Sequence, residues 1–429
     1  MTESSFAVLM AMVFGWAVLS DRLARWNISG PLVFSVAGFV LANQAWGPVP
    51  IDIEAPSIQL LTEITLALLL FSDAARVNIA SLRRDIRIPA RLLGIGLPLT
   101  VILGALGAAL VFGDISWALA GFVGAALAPT DAALSAQVID DKRIPMRVRR
   151  ALNVESGLND GIVTPIVIFT LAVAAEQLAI AGGEHAALGP LLELAVGILV
   201  GLAVGLVSAK LIAIGSRRLW VVHGGRRLAT LAAALASYAL AVTFSANGFI
   251  AAFVAGIAFG AVSSRNGVDL DEVAELPELL GEALALVVWF LFGAALVPVA
   301  FDYFSVWTLV FAVLSLTLIR IVPVALALLG TRLDTGTVLF MGWFGPRGLA
   351  SVVFALLAIE QLGELEVVGQ AVSVVALTVL LSVVLHGVSA GPLGRVYARG
   401  HRDSAAEGLG AGPRSRRPFH GPLRPPTVR

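Results

Sequence analysis

The chain has 429 residues, 58% of them hydrophobic and only 14% charged, where an average soluble domain is about a quarter charged. It has no cysteine, which excludes a disulfide framework, a thiolate metal site and a cysteine nucleophile, and its formal net charge of zero gives no ground for a nucleic-acid partner. This balance points to the lipid bilayer as the surrounding solvent.

In chain order, apolar stretches fall at 5–19, 30–47, 58–75, 92–112, 116–139, 152–175, 190–214, 228–246, 248–263, 278–297, 305–330, 336–358 and 367–391. Each crossing needs about 20 residues of helix to cover about 30 Å of hydrocarbon. One such stretch is compatible with a signal peptide; this many are not. The expected fold class is therefore an all-α polytopic membrane protein with about 13 transmembrane helices.

Basic residues alternate between the breaks. Of the 29 Lys and Arg residues, 27 lie in the odd-numbered breaks and the tail, from Arg22 and Arg25 to the final Arg-rich segment. The other breaks carry acids instead, among them Asp52, Glu54, Asp114, Glu184 and Asp302. By the positive-inside rule the N-terminus is expected outside and the C-terminus in the cytoplasm of a cell inner (plasma) membrane. Residues 1–399 read as the transmembrane domain. Residues 400–429, rich in Pro, Gly and Arg, read as a disordered basic cytoplasmic tail.

The two remaining basic residues, Arg320 and Arg347, lie inside spans, as do Asp131, Glu155 and Asp160. A charge at a helix centre in the bilayer costs about 2.5–3.5 kcal/mol on insertion scales, so a cluster of them marks a site. At 1.5 Å per residue, Asp160 lies roughly 12 Å into its span, Arg347 about 16 Å, and Asp131 and Arg320 roughly 22 Å. Asp73 lies nearer the cytoplasmic end of the third span.

Three local sequences depart from ordinary helix. In Ala128–Pro129–Thr130–Asp131, proline removes a backbone donor inside a span, and the helix is expected to break. A break at membrane depth is tolerated only where it lines a protein cavity. In Glu155–Ser156–Gly157–Leu158–Asn159–Asp160–Gly161, Ser156 and Asp160 share one helix face and offer hard oxygen ligands together, while Asn159 lies beside Glu155 on the next face. Glu155 needs a cationic partner, and Arg320 is the best placed, in a structural role. In Gly345–Pro346–Arg347–Gly348 two glycines flank Pro-Arg, and a second interruption is expected, with Arg347 neutralising carbonyls freed at that break. The broken spans are the fifth and the twelfth, the fifth of six in each of two halves entering from opposite sides. That is the pattern of inverted repeats with two discontinuous crossing helices at a midplane site. Glu275, Glu278 and Glu282 share one face at the start of the tenth span, either as a solvated helix start or as a mouth that concentrates cations. His386, in the last span, reads as a helix-packing polar residue.

Together with Gly248–Phe249–Ile250–Ala251–Ala252–Phe253–Val254–Ala255–Gly256, these segments resemble the monovalent cation:proton antiporter family, closest to the NhaP-type electroneutral sodium/proton exchangers, over about residues 5–395. The resemblance implies a homodimer with interleaved dimer and transport subdomains. It also implies Na⁺ ligated by residues matching Thr130, Asp131, Ser156 and Asp160, with an acidic residue at position 73 linked through water. Family members usually carry Glu there; Asp73 is one methylene shorter. The family pattern also pairs the residues matching Glu155 and Arg320.

The expected function is secondary active exchange of Na⁺, or Li⁺, for H⁺ by alternating access, in the service of pH homeostasis. Asp160 would bind either ion but not both, and one carboxylate exchanging one for one makes transport electroneutral. Neither an enzymatic activity nor a resident cofactor is expected; Na⁺ and H⁺ enter as cargo. A K⁺/H⁺ antiporter would use the same parts, and a cation channel is the rival from another class.

Overall fold

The structure is a computed structural model that describes residues 3–43, 46–49, 55–77, 86–113, 115–178, 188–363 and 365–410. Asp52, Glu54, Asp114, Glu184 and the tail beyond residue 410 lie outside the described residues. Among the described residues every regular element is helical. Chain order gives α1 Glu3–Ala24, α2 Gly30–Leu41, α3 Pro56–Arg76, α4 Arg87–Val111, α5 Trp117–Ala126, α6 Ala136–Ile139, α7 Met146–Gln177 and α8 Leu188–Arg217. Then follow α9 His223–Thr243, α10 Gly248–Arg265, α11 Leu270–Asp302, α12 Val306–Leu316, α13 Leu318–Ala327, α14 Thr335–Trp343, α15 Leu349–Leu362 and α16 Glu366–Gly410.

Only a helix satisfies its own backbone in lipid, so the starts of these helices are where polar side chains are needed. Ser116, Asn247, Asp269, Ser305 and Asp334 each cap a helix by accepting from a backbone N–H of its first turn. Asn247 starts α10 only four residues after α9 ends, which makes the short turn at Ala246–Asn247–Gly248 possible. Counting α12 and α13 together, nine of the described helical segments are long and apolar enough to cross a membrane. Thirteen stretches were expected from the sequence. Three of them hold apolar helices of only 10–17 residues (Gly30–Leu41, Trp117–Ala126 and Leu349–Leu362), and α9 carries Arg226 and Arg227 near its start. The final helix runs on to Gly410, past the tail boundary expected at residue 400.

The helices pack in two groups that interleave along the chain. In one, α10 packs on α3 and α8, and α11 on α2, α3 and α9. In the other, α5 lies between α4 and α7, α16 lies against α5, α12 and α15, and α13 against α4 and α14. The groups meet where α11 faces α15 and α16, where α3 and α10 face α7, and where α3 faces α15.

Both expected breaks are present. The fifth stretch leaves helix after Ala126 and regains a single helical turn at Ala136; the twelfth stops at Trp343 and resumes at Leu349. Proline alone does not decide this, because Pro165, Pro277, Pro323 and Pro392 all sit inside continuous helices. The eleventh stretch is interrupted as well, at Thr317 between α12 and α13.

Candidate cation site

The two breaks lie against each other, and their loose ends are satisfied across the contact. The backbone N–H of Asp131 donates to Pro346 O at 2.8 Å. The Asp131 carboxylate accepts from Ala133 N (2.7 Å) and Leu134 N (3.2 Å) at one oxygen, and from Leu349 N (3.0 Å) at the other. Leu349 is the first residue of α15, so Asp131 holds the N-terminal end of the opposite broken helix as well as its own following turn.

Arg347 does the converse for carbonyls. It is fully buried and donates through Nη1 to Ala128 O (2.7 Å) and Pro129 O (3.3 Å), and through Nη2 to Ser315 O (3.3 Å). The sequence reading placed its charge on the carbonyls of its own break. The structure corrects this: Arg347 serves the fifth-stretch break and the carbonyl end of α12. Ser351 adds a bond from its hydroxyl to Ala126 O at 2.6 Å, on the last residue of α5. Gly345 and Gly348 leave room for charged neighbours. A Cβ at Gly345 would lie 2.4 Å from Arg320 Nε, and one at Gly348 would lie 1.9 Å from an Asp131 oxygen.

The crossing abuts a cavity of about 460 Å³. Thr130, Asp131, Ser156, Gly157 and Asp160 line one side; Leu69, Asp73, Arg76, Glu278 and Glu282 of α3 and α11 line the other. Thr130 Oγ1 and Ser156 Oγ are 3.0 Å apart, and Asn159 Nδ2 donates to Thr130 Oγ1 at 2.7 Å. Asp160 has a buried Oδ1 with no hydrogen-bond partner among the described residues, while Thr164 bonds its backbone carbonyl at 2.7 Å. Asp73 reaches the same cavity from α3, opposite Gly157: a Cβ there would stand 3.7 Å from its own.

Glu155 and Arg320 form an ion pair at 2.7 Å with side chains about 98–99% buried. The contact is close but off the N–H axis, and the guanidinium nitrogens of Arg320 have no aligned acceptor among the described residues, so charge rather than a directed bond holds the pair. Neither residue lines the cavity. Of the residues singled out from sequence, Thr130, Asp131, Ser156, Asp160 and Asp73 therefore meet at the cavity, whereas Glu155, Asn159, Arg320 and Arg347 stand behind it. Sequence reasoning missed Ser315, Ser351 and Ser382, the last of which accepts the Arg347 backbone N–H at 2.7 Å. Single serines on apolar helices carry no local signal of that duty.

The chain matches the family described as sodium/hydrogen exchanger, transmembrane, over residues 8–396. It belongs to that family. The exchanger family is one of transporters, and the chain is accordingly a multi-pass membrane protein. It is 26% identical over 337 residues to the K⁺/H⁺ antiporter NhaP of Alkalimonas amylolytica, covering 76% of this chain and 55% of that protein. It is 28% identical over 353 residues to the Na⁺/H⁺ antiporter NhaP of Pseudomonas aeruginosa, covering 78% and 80%. The chain thus spans 55–60% of the length of the K⁺/H⁺ antiporters it matches in Alkalimonas and Shewanella oneidensis. In fold it is similar to the sodium proton antiporter MjNhaP1 from Methanocaldococcus jannaschii, with a TM-score of 0.75 at 19% identity over 92% of this chain and 99% of that one.

Proposed function

We propose that this exchanger carries Na⁺ in exchange for H⁺, one for one, on the carboxylate of Asp160, by alternating access across the cell inner membrane. The observation that carries this reading is the contrast among the buried acids. Both Asp131 oxygens are taken by backbone N–H groups and Glu155 is held by Arg320, whereas Asp160 keeps a buried oxygen at the cavity wall with no partner among the described residues. Water reaching a site of hard oxygens supplies both competitors, and a carboxylate that accepts one of them excludes the other. Thr130 and Ser156 add neutral oxygens, as a weakly held monovalent cation requires, and Asp73 faces them across the cavity.

The packing supports a division of labour within residues 1–399. The group of α3, α8, α9, α10 and α11 would act as the dimer scaffold, and the group of α4, α5, α7 and α12 to α16 as the moving transport part of a homodimer. The cavity lies between them. It is lined toward one end by Arg76, Asp140 and Arg150, which the distribution of basic residues assigns to the cytoplasm, with the N-terminus outside and the C-terminus inside. The test is proton flux from dye-loaded proteoliposomes of the purified chain on addition of NaCl, LiCl, KCl or choline chloride. Na⁺-driven flux is expected; K⁺-driven flux without Na⁺ response would move the chain to the K⁺/H⁺ reading, and no response to any cation would reject exchange.

A further inference from the structure

His386 lies on α16 outside the cavity, 1% exposed, and the exchange mechanism does not use it. Its Nε2 is 2.8 Å from the carbonyl oxygen of Trp343, the last residue of α14. The other ring nitrogen, Nδ1, is 2.9 Å from the carbonyl oxygen of Ser382 on its own helix, and a carbonyl only accepts, so in the tautomer with its hydrogen on Nε2 the ring donates across to Trp343. The Trp343 indole stacks on the imidazole at 5.0 Å and 24°, and its N–H donates to Ser389 Oγ at 3.0 Å. One turn earlier on α16, Ser382 Oγ accepts the backbone N–H of Arg347 at 2.7 Å and lies 3.3 Å from His386 Nδ1.

Helix α16 thus grips the twelfth-stretch break on both margins, through His386 where the chain leaves α14 and through Ser382 where it approaches α15. What the grip holds is the cation site's frame. Arg347 fixes Ala128 O and Pro129 O, and Pro346 O takes the N–H of Asp131. The path from His386 to Thr130 and Asp131 runs through directed bonds in a region where no bulk water replaces a lost donor.

We propose that His386 is a positioning residue for cation binding, acting through the Trp343 carbonyl and the break at Phe344–Gly348. The proposal rests on the exchange reading. A histidine that merely filled space between helices would need no donor aimed at a helix end.

The test uses the purified full chain in detergent, with melting temperature measured against NaCl at ionic strength held constant with choline chloride. His386→Leu removes the donor and keeps the bulk; His386→Gln keeps an N–H within reach of the carbonyl. His386→Leu is expected to need about tenfold more Na⁺ for the same upward shift, and His386→Gln to return within about threefold of the wild type. In proteoliposomes the apparent KM for Na⁺ should rise in His386→Leu more than the maximal rate falls. A folded His386→Leu with the wild-type Na⁺ response, or a His386→Gln as impaired as His386→Leu, would overturn the proposal. If His386→Leu does not fold, Ser382→Ala, which frees the Arg347 N–H, should show the same weakening, and an unchanged response there would overturn it equally. A wild type insensitive to Na⁺, Li⁺ and K⁺ alike would instead defeat the exchange reading, and this proposal with it.

Discussion

Asp131 and Asp160 line the same cavity, yet their surroundings are opposite. Asp131 sits where two broken helices cross, and three backbone N–H groups take up its oxygens. Asp160 sits in the middle of an unbroken helix, where the backbone N–H groups are already used, and one of its oxygens is buried with no partner among the described residues. The first charge belongs to the architecture. The second is the one we propose for the mobile ion. At membrane depth the number of donors around a carboxylate, more than its depth, decides which role it takes.

The largest expected effect tests that assignment at once. Asp160→Asn keeps the shape and removes the titrating group, so Na⁺-driven proton flux should fall by at least about a hundredfold while the folded yield is unchanged. Retained exchange would show that Asp160 is not the carrier. Asp131→Asn should instead lower the melting temperature, since an amide cannot accept from all three N–H groups as the carboxylate does.

The pair behind the cavity offers the next largest effect. Glu155→Gln and Arg320→Gln each leave one buried charge unmatched, and either should cost about 3–5 kcal/mol of stability, whereas the double variant should recover much of that loss. The measurement is a double-mutant cycle of melting in detergent; strictly additive losses would contradict the contact.

A smaller effect is expected at the cavity mouth. Glu275 is paired with Arg227 at 2.8 Å and Glu278 with Arg76, so two of the three acids read from the sequence as a cation-concentrating face are engaged. Glu282 lines the cavity near Arg76 and Glu278 but, among the described residues, forms no ion pair of its own. Glu282→Gln should raise the apparent KM for Na⁺ about two- to threefold at low ionic strength and leave it unchanged near 1 M salt, where the screening length is about 3 Å. Glu275→Gln should do neither, and an equal effect of the two would remove the distinction.

The smallest expected effect is none at all. With only Asp160 exchanging one cation for one proton, flux should not change when the membrane potential is clamped at zero or at about −100 mV, a difference worth about 2.3 kcal/mol per net charge moved. A voltage-dependent flux would mean that Asp131 also gives up its charge during the cycle, despite its three donors.

Much of this was legible in the sequence, because the bilayer allows few solutions. Apolar stretches of spanning length must be helical. The two interruptions were visible in Ala128–Pro129–Thr130–Asp131 and Gly345–Pro346–Arg347–Gly348, and the spacing of Ser156 and Asp160 put their oxygens on one face. Proline by itself was a poor guide, since Pro165, Pro277, Pro323 and Pro392, among others, lie within continuous helices. What separates the breaks from these is the set of partners that accept their freed ends: Asp131 for N–H groups, Arg347, Ser351 and Ser382 for carbonyls and the Arg347 N–H. Those partners are about 30 to more than 200 residues away in the chain. Sequence alone determined which residues are too costly to place in lipid without a purpose. Only the tertiary structure decided which purpose each one has, because a buried charge is defined by the donors and acceptors that surround it, and these come from other helices.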